Sequence, residues 1–192
     1  MLPSEPAARH RTVAAQFSRL VRGTSDWSAP APVPGWTARD VVDHLVSWFP
    51  AFVAAGGGPG WPSGPAVSAD PAAAWQAQAD GVQALLDDPG TAVTPFAHPR
   101  LPPGTVASCT DTFYTSDVFM HAWDLAAATG QPLQLDPDEC AGMLAGMEPI
   151  DEMLRASGQY GPRVEVPEDA DVQSRLIGFI GRDPSWKPPV TR

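Results

Sequence analysis

Apolar side chains recur every three to four positions over several stretches of the chain, and that period specifies amphipathic helices rather than half-buried strands. Residues 5 to 23 place Val13, Phe17, Leu20 and Val21 on one such row and stop at Gly23, which predicts a first helix. A loop rich in Pro and Ser, 25 to 35, follows, with Trp27 as its anchor. A second helix begins after Thr37, which suits an N-cap; Asp40 completes a near-capping box, and Trp36 with Val41 suits a hydrophobic staple. Its inward stripe is expected to be Val41, Leu45, Trp48 and Phe52, with His44 on the same side, before Gly56, Gly57, Gly58 and Pro59 end it.

A loop over 56 to 69 contains Trp61, and Asp70 with Pro71 then opens a third helix reaching about Leu86. Residues 87 to 107 are punctuated by Pro and Gly and form a long crossover, briefly extended between Thr91 and Phe96. A fourth helix runs from about Ser108 to Ala128 and is closed by Gly130. The fifth spans Pro137 to about Arg155, with Met143, Met147, Ile150 and Leu154 expected inward. After a loop over 156 to 169, a short last helix from Asp171 to Gly181 turns Val172, Leu176, Phe179 and Ile180 inward, and a turn at 182 to 186 folds Trp186 back. These elements predict an all-α fold, a four-helix bundle with one long crossover and a short C-terminal helical extension. The expected organisation is a single domain over 1 to 192, with the bundle core at about 5 to 155 and the extension at about 156 to 192.

Composition narrows the functions. At 192 residues, 43% of them hydrophobic, the chain can bury a core. A net charge of −10 with Lys187 as the single lysine disfavours nucleic acid and anionic membrane surfaces as partners. There is neither an apolar run of about 20 residues to span a bilayer nor a signal-peptide core, so a cytoplasmic location is expected. Cys109 and Cys140 are too far apart for a metal knuckle or a CxxC pair and read as reduced thiols. No internal repeat, glycine-rich phosphate loop or nucleophile elbow is present.

The chemistry concentrates in the fourth helix, where Asp117 and His121 stand four residues apart and so on one face. Phe113 and Leu125 extend that row, placing the polar pair within an apolar ridge, where an unpartnered polar group is costly. His44 on the second helix is the third inward donor. Two imidazoles and a carboxylate from facing helices leave coordination positions open, as catalytic zinc or ferrous sites require; nickel is also compatible. The residues alone equally allow His44 to be a hydrogen-bonded core histidine, and Asp117 and His121 to be bonded only to each other. Asp124 reads as a helix-surface or interhelical hydrogen-bonding group; with Asp40 it is also a candidate to fix an imidazole from behind. His10 and His98 read as surface or loop residues, His98 overhanging the bundle mouth. Arg39 and Arg100 are the cations placed to meet a substrate carboxylate.

The segments 34 to 45, Pro-Gly-Trp-Thr-Ala-Arg-Asp-Val-Val-Asp-His-Leu, and 117 to 126, Asp-Val-Phe-Met-His-Ala-Trp-Asp-Leu-Ala, resemble the two signatures of the DinB-like metal-binding family related to the N-terminal domain of mycothiol-dependent maleylpyruvate isomerase. The closing Gly181-Arg182-Asp183-Pro184-Ser185-Trp186 is similar to the terminal motif of a single-domain branch of that family. The resemblance implies a DinB-type bundle whose metal is held by His44, Asp117 and His121. Where the isomerase has glutamate, this chain has Asp117, one methylene shorter. The isomerase carries a further domain that contributes to its active site, so maleylpyruvate isomerisation itself is not expected here.

Three functions fit these readings. The first is a divalent-metal enzyme, zinc being the leading ion, that uses a low-molecular-weight thiol such as mycothiol as a transferase or isomerase of a small electrophile. The second is a metal-bearing bundle that binds a small ligand or a protein partner without chemistry, and the third a purely structural bundle. The expected partners are a small-molecule substrate or thiol and a second copy in a homodimer, with no nucleic acid and no membrane.

Overall fold

The computed structural model describes residues 1–99 and 101–189. Four helices make its core: α1 (Pro6–Gly23), α2 (Ala38–Ala55), α3 (Pro71–Asp87) and α6 (Ser116–Thr129). Each of α1 and α2 packs against both α3 and α6, so α1 and α2 lie diagonally across the bundle. The first three of these helices start on side-chain caps, those of α2 and α3 as expected from the sequence. Glu5 accepts from the Ala7 and Ala8 amides, Thr37 and Asp40 form a reciprocal capping box, and Asp70 precedes Pro71 and accepts from Ala73.

The crossover from α3 to α6 contains a helical turn α4 (Pro89–Ala92) and a two-residue antiparallel ladder, β1 (Pro95–Phe96) with β2 (Gly104–Thr105). Thr91 is thus helical and the extended piece is confined to two residues, because Asp88 caps the turn through the Gly90 and Thr91 amides. The expected fourth helix is three segments: α5 (Val106–Cys109), a π-helical stretch Thr110–Thr115, and α6. The wider π turn re-phases the chain so that Tyr114 and Thr115 are both buried immediately before Asp117.

Two further expectations are corrected. On α2 the deepest row is Ala38, Val41, Val42, Leu45, Phe49 and Val53, while Trp48 and Phe52 lie half-buried beside it. The fifth helix is broken into α7 (Pro137–Met147), a 3-10 turn Glu148–Ile150 and α8 (Asp151–Ala156). Pro149 has no N–H to continue the ladder, and the rotation leaves Ile150 40% exposed. Cys140 and Leu144, not the methionines, fill the buried face of α7, which packs on α9 (Val172–Phe179). Leu176, Ile177, Phe179 and Ile180 are buried there, and Trp186 packs back onto the core as expected. No helix among the described residues is long and apolar enough to cross a membrane.

Candidate metal centre

Asp117, one residue into α6, points across the bundle at α2. Its Oδ2 lies 3.0 Å from His44 Nε2 and accepts the Trp48 indole N–H at 3.0 Å, while its Oδ1 lies 3.5 Å from His121 Nε2. The three donor atoms of His44, Asp117 and His121 fall within 4.8 Å of one another. Two ligands of one zinc-sized ion are roughly 3.4 Å apart at a near-tetrahedral angle, and the two imidazole–carboxylate separations, 3.0 and 3.5 Å, bracket that spacing.

Behind the pair, His121 Nδ1 lies 2.8 Å from Asp124 Oδ2, and Asp124 is wholly buried. The Arg182 guanidinium closes on the same carboxylate, Nε to Oδ1 and Nη2 to Oδ2, each at 3.3 Å. With Nδ1–H donated to the Asp124 carboxylate, a neutral His121 turns a lone pair toward Asp117 Oδ1. Two acceptors then face each other, and a positive charge between them, proton or metal cation, removes the conflict. The electrostatics of the two groups follow the same demand. Burial raises the Asp117 pKa, but His121 and the hydrogen bonds from His44 and Trp48 more than reverse it, leaving a carboxylate. Burial lowers that of His121, yet Asp117 and Asp124 raise it overall.

Trp36, at the residue before the α2 cap, covers the site: its ring stacks on His121 at 5.7 Å between centroids and sits 5.2 Å from His44. Side-chain exposure is 33% for His44, 19% for Asp117 and 7% for His121, so access is from the α2 side. A cleft of about 360 Å³ opens there between Gly35, Trp36, Asp40, Asp43 and His44.

Residues 10–126 match the mycothiol maleylpyruvate isomerase N-terminal domain. The chain belongs to that family. Two curated relatives in Mycobacterium tuberculosis, the uncharacterized proteins MT0763 (strain CDC 1551 / Oshkosh) and Rv0738 (strain ATCC 25618 / H37Rv), are each 29% identical over 185 residues, spanning 93% of this chain and 98% of the relative. No solved structure matches the chain significantly. The mostly helical bundle agrees with the DinB-like relation of the family.

The family match ends two residues after Asp124, so it contains His44, Asp117, His121 and Asp124 but not Arg182. Of the two carboxylates expected behind the imidazoles, Asp124 bonds His121, whereas Asp40 is exposed and committed to the Thr37 capping box through bonds of 2.7 and 2.6 Å. Arg39 is exposed on the first turn of α2, and Arg100 lies outside the described residues. His98 stacks on Phe52 at 5.5 Å. His10, expected at the surface, is fully buried against Thr115, at 3.3 Å, and the Tyr114 ring. Sequence reasoning missed Trp48 as a donor to Asp117 and Arg182 as the partner of Asp124; the burial of Asp124, which calls for a cation, is set by the fold.

Proposed function

We propose that this member of the family binds a divalent metal ion through His44, Asp117 and His121 and uses it, with a low-molecular-weight thiol of the mycothiol type, as a transferase or isomerase of a small electrophilic substrate. The observation that carries the reading is the convergence of three donors from two helices on one point, with the Nδ1 side of His121 already held by Asp124. Family membership supports the thiol. The ligand set also suits the ion: two imidazoles and one carboxylate favour zinc, nickel or ferrous iron over calcium or magnesium, and three ligands leave a position for an exogenous sulfur.

A bound divalent cation supplies Lewis acidity that lowers the pKa of a coordinated thiol toward neutrality. The chain's own contributions are positional. Asp124 fixes the His121 ring with Nε2 facing the site, Trp48 holds the Asp117 carboxylate from one side, and Trp36 stacks on the buried His121 ring. The more exposed His44 edge, opening into the cleft beside Trp36, admits thiol and substrate.

The test is metal content of the purified protein by elemental mass spectrometry, followed by alanine replacement of His44, Asp117 and His121 together. About one metal per chain, lost in the triple variant, is expected; metal retained in that variant removes the reading. Incubating the metal-loaded protein with mycothiol and a chromogenic aryl halide then separates catalysis from binding, since metal without conjugate formation favours a non-catalytic bundle.

A further inference from the structure

Arg182 stands outside the bundle, in the turn that follows α9, yet its side chain is only 12% exposed because it reaches to Asp124 of α6. The turn that delivers it is specified twice. Gly181 has a φ of 85°, and a Cβ there would come within 3.0 Å of the Pro162 carbonyl oxygen and 3.1 Å of the Gly161 backbone. The amides of Gly181 and Arg182 bond back to Gly178 and Ile177 of α9, at 3.1 and 3.0 Å, closing the helix in a Schellman-like turn. A third guanidinium bond, Nη1 to the Ile180 carbonyl at 2.9 Å, ties the side chain to its own turn.

Resting on the metal reading above, we propose that Arg182 is a positioning residue that couples docking of the C-terminal segment to the metal centre through Asp124. The argument is geometric. Asp124 Oδ2 receives both His121 Nδ1 and Arg182 Nη2, and Oδ1 receives Arg182 Nε, so the guanidinium grips both carboxylate oxygens and sets the plane in which the imidazole must lie. Groups behind a ligating imidazole govern metal affinity as well as ring orientation. The direction of Nε2 therefore depends on a residue more than fifty positions away, in the turn that follows α9. Coupling of this kind is reciprocal: if docking of the turn favours the ion, the ion favours docking by the same factor.

The experiment compares wild type, Arg182→Gln and Arg182→Lys in two readouts at a temperature where circular dichroism shows each to be folded. One is the zinc dissociation constant, by competition with a chromophoric chelator. The other is hydrogen exchange at the amides of Ile180, Gly181 and Arg182, with and without zinc. Arg182→Gln is expected to weaken zinc by roughly 10- to 100-fold and to abolish the slowing of exchange that zinc produces in wild type. Arg182→Lys, which keeps the charge but not the two-toothed grip, falls between the two. Should Arg182→Gln not fold, the Lys variant carries the comparison, and unchanged affinity in it overturns the proposal. The proposal also fails if Arg182→Gln binds zinc like wild type, or if zinc leaves exchange at residues 180 to 182 unaltered in wild type. Binding that needs His44, Asp117 and His121 but ignores Arg182 sinks this inference alone; a wild type that takes up no metal sinks both readings.

Discussion

Replacing Asp124 by alanine tests the buried arrangement behind His121 without requiring that any metal be present. The substitution removes a carboxylate of zero exposure and leaves Arg182, whose side chain is 12% exposed, without its anionic partner. It also strips the acceptor from His121 Nδ1. Breaking one side of a buried ion pair costs about 3–5 kcal/mol. The lower end applies because Arg182 keeps its bond to the Ile180 carbonyl and retains an exposed edge for water. In a chain of this size about 3 kcal/mol lowers the melting temperature by roughly 6–12 °C. The assay is urea and thermal denaturation at pH 7 in the presence of a chelator, so that metal contributes nothing. Adding Arg182→Met to the alanine variant should restore most of the loss, because the unpaired cation is then gone. A loss below about 1 kcal/mol, or a double variant whose losses simply add, refutes the claim that these two side chains neutralise each other in the fold.

Other perturbations probe the rest of the molecule. Burial pushes the His10 pKa from 6.5 down to about 4, so the unfolded chain binds the proton more readily and stability falls as pH drops from 6.5 towards 4, by roughly 3 kcal/mol. Urea titrations at pH 7 and pH 5 should find that part of the slope missing in His10→Gln; an identical slope in both proteins contradicts it. Gly56→Ala should cost about 1–3 kcal/mol by overpacking, since a Cβ there would lie 2.0 Å from the buried Phe96 ring, and a melting temperature equal to wild type would rule the contact out. Burial pushes the Cys140 thiol up to about 12, so the native protein at pH 8 should leave it unlabelled by iodoacetamide until denaturant is added; stoichiometric native labelling, mapped by mass spectrometry, would refute this.

The amino-acid sequence by itself determined the helices that build the bundle and most of their ends. Caps such as Thr37 with Asp40, and Asp70 with Pro71, are local devices, satisfied by side chains within four residues, and so are legible without the fold. The four-residue spacing of Asp117 and His121 put both on one helical face for the same reason, and the resemblance in segments 34 to 45 and 117 to 126 joined His44 to them. What only the tertiary structure decided lies in contacts between distant segments. The π turn before Asp117, over which Tyr114 and Thr115 are buried together, leaves no sequence signature. His10 looked solvated beside Arg9 and Arg11, yet the packing of α1 against α3 and the π segment buries it. Asp40 and Asp124 were both candidates to support an imidazole; the fold keeps the first in the cap expected for it and brings the second to His121 and Arg182. Periodicity places a residue on a face of its own helix; which distant side chain meets it there depends on how the helices cross, and that is a property of the assembled core.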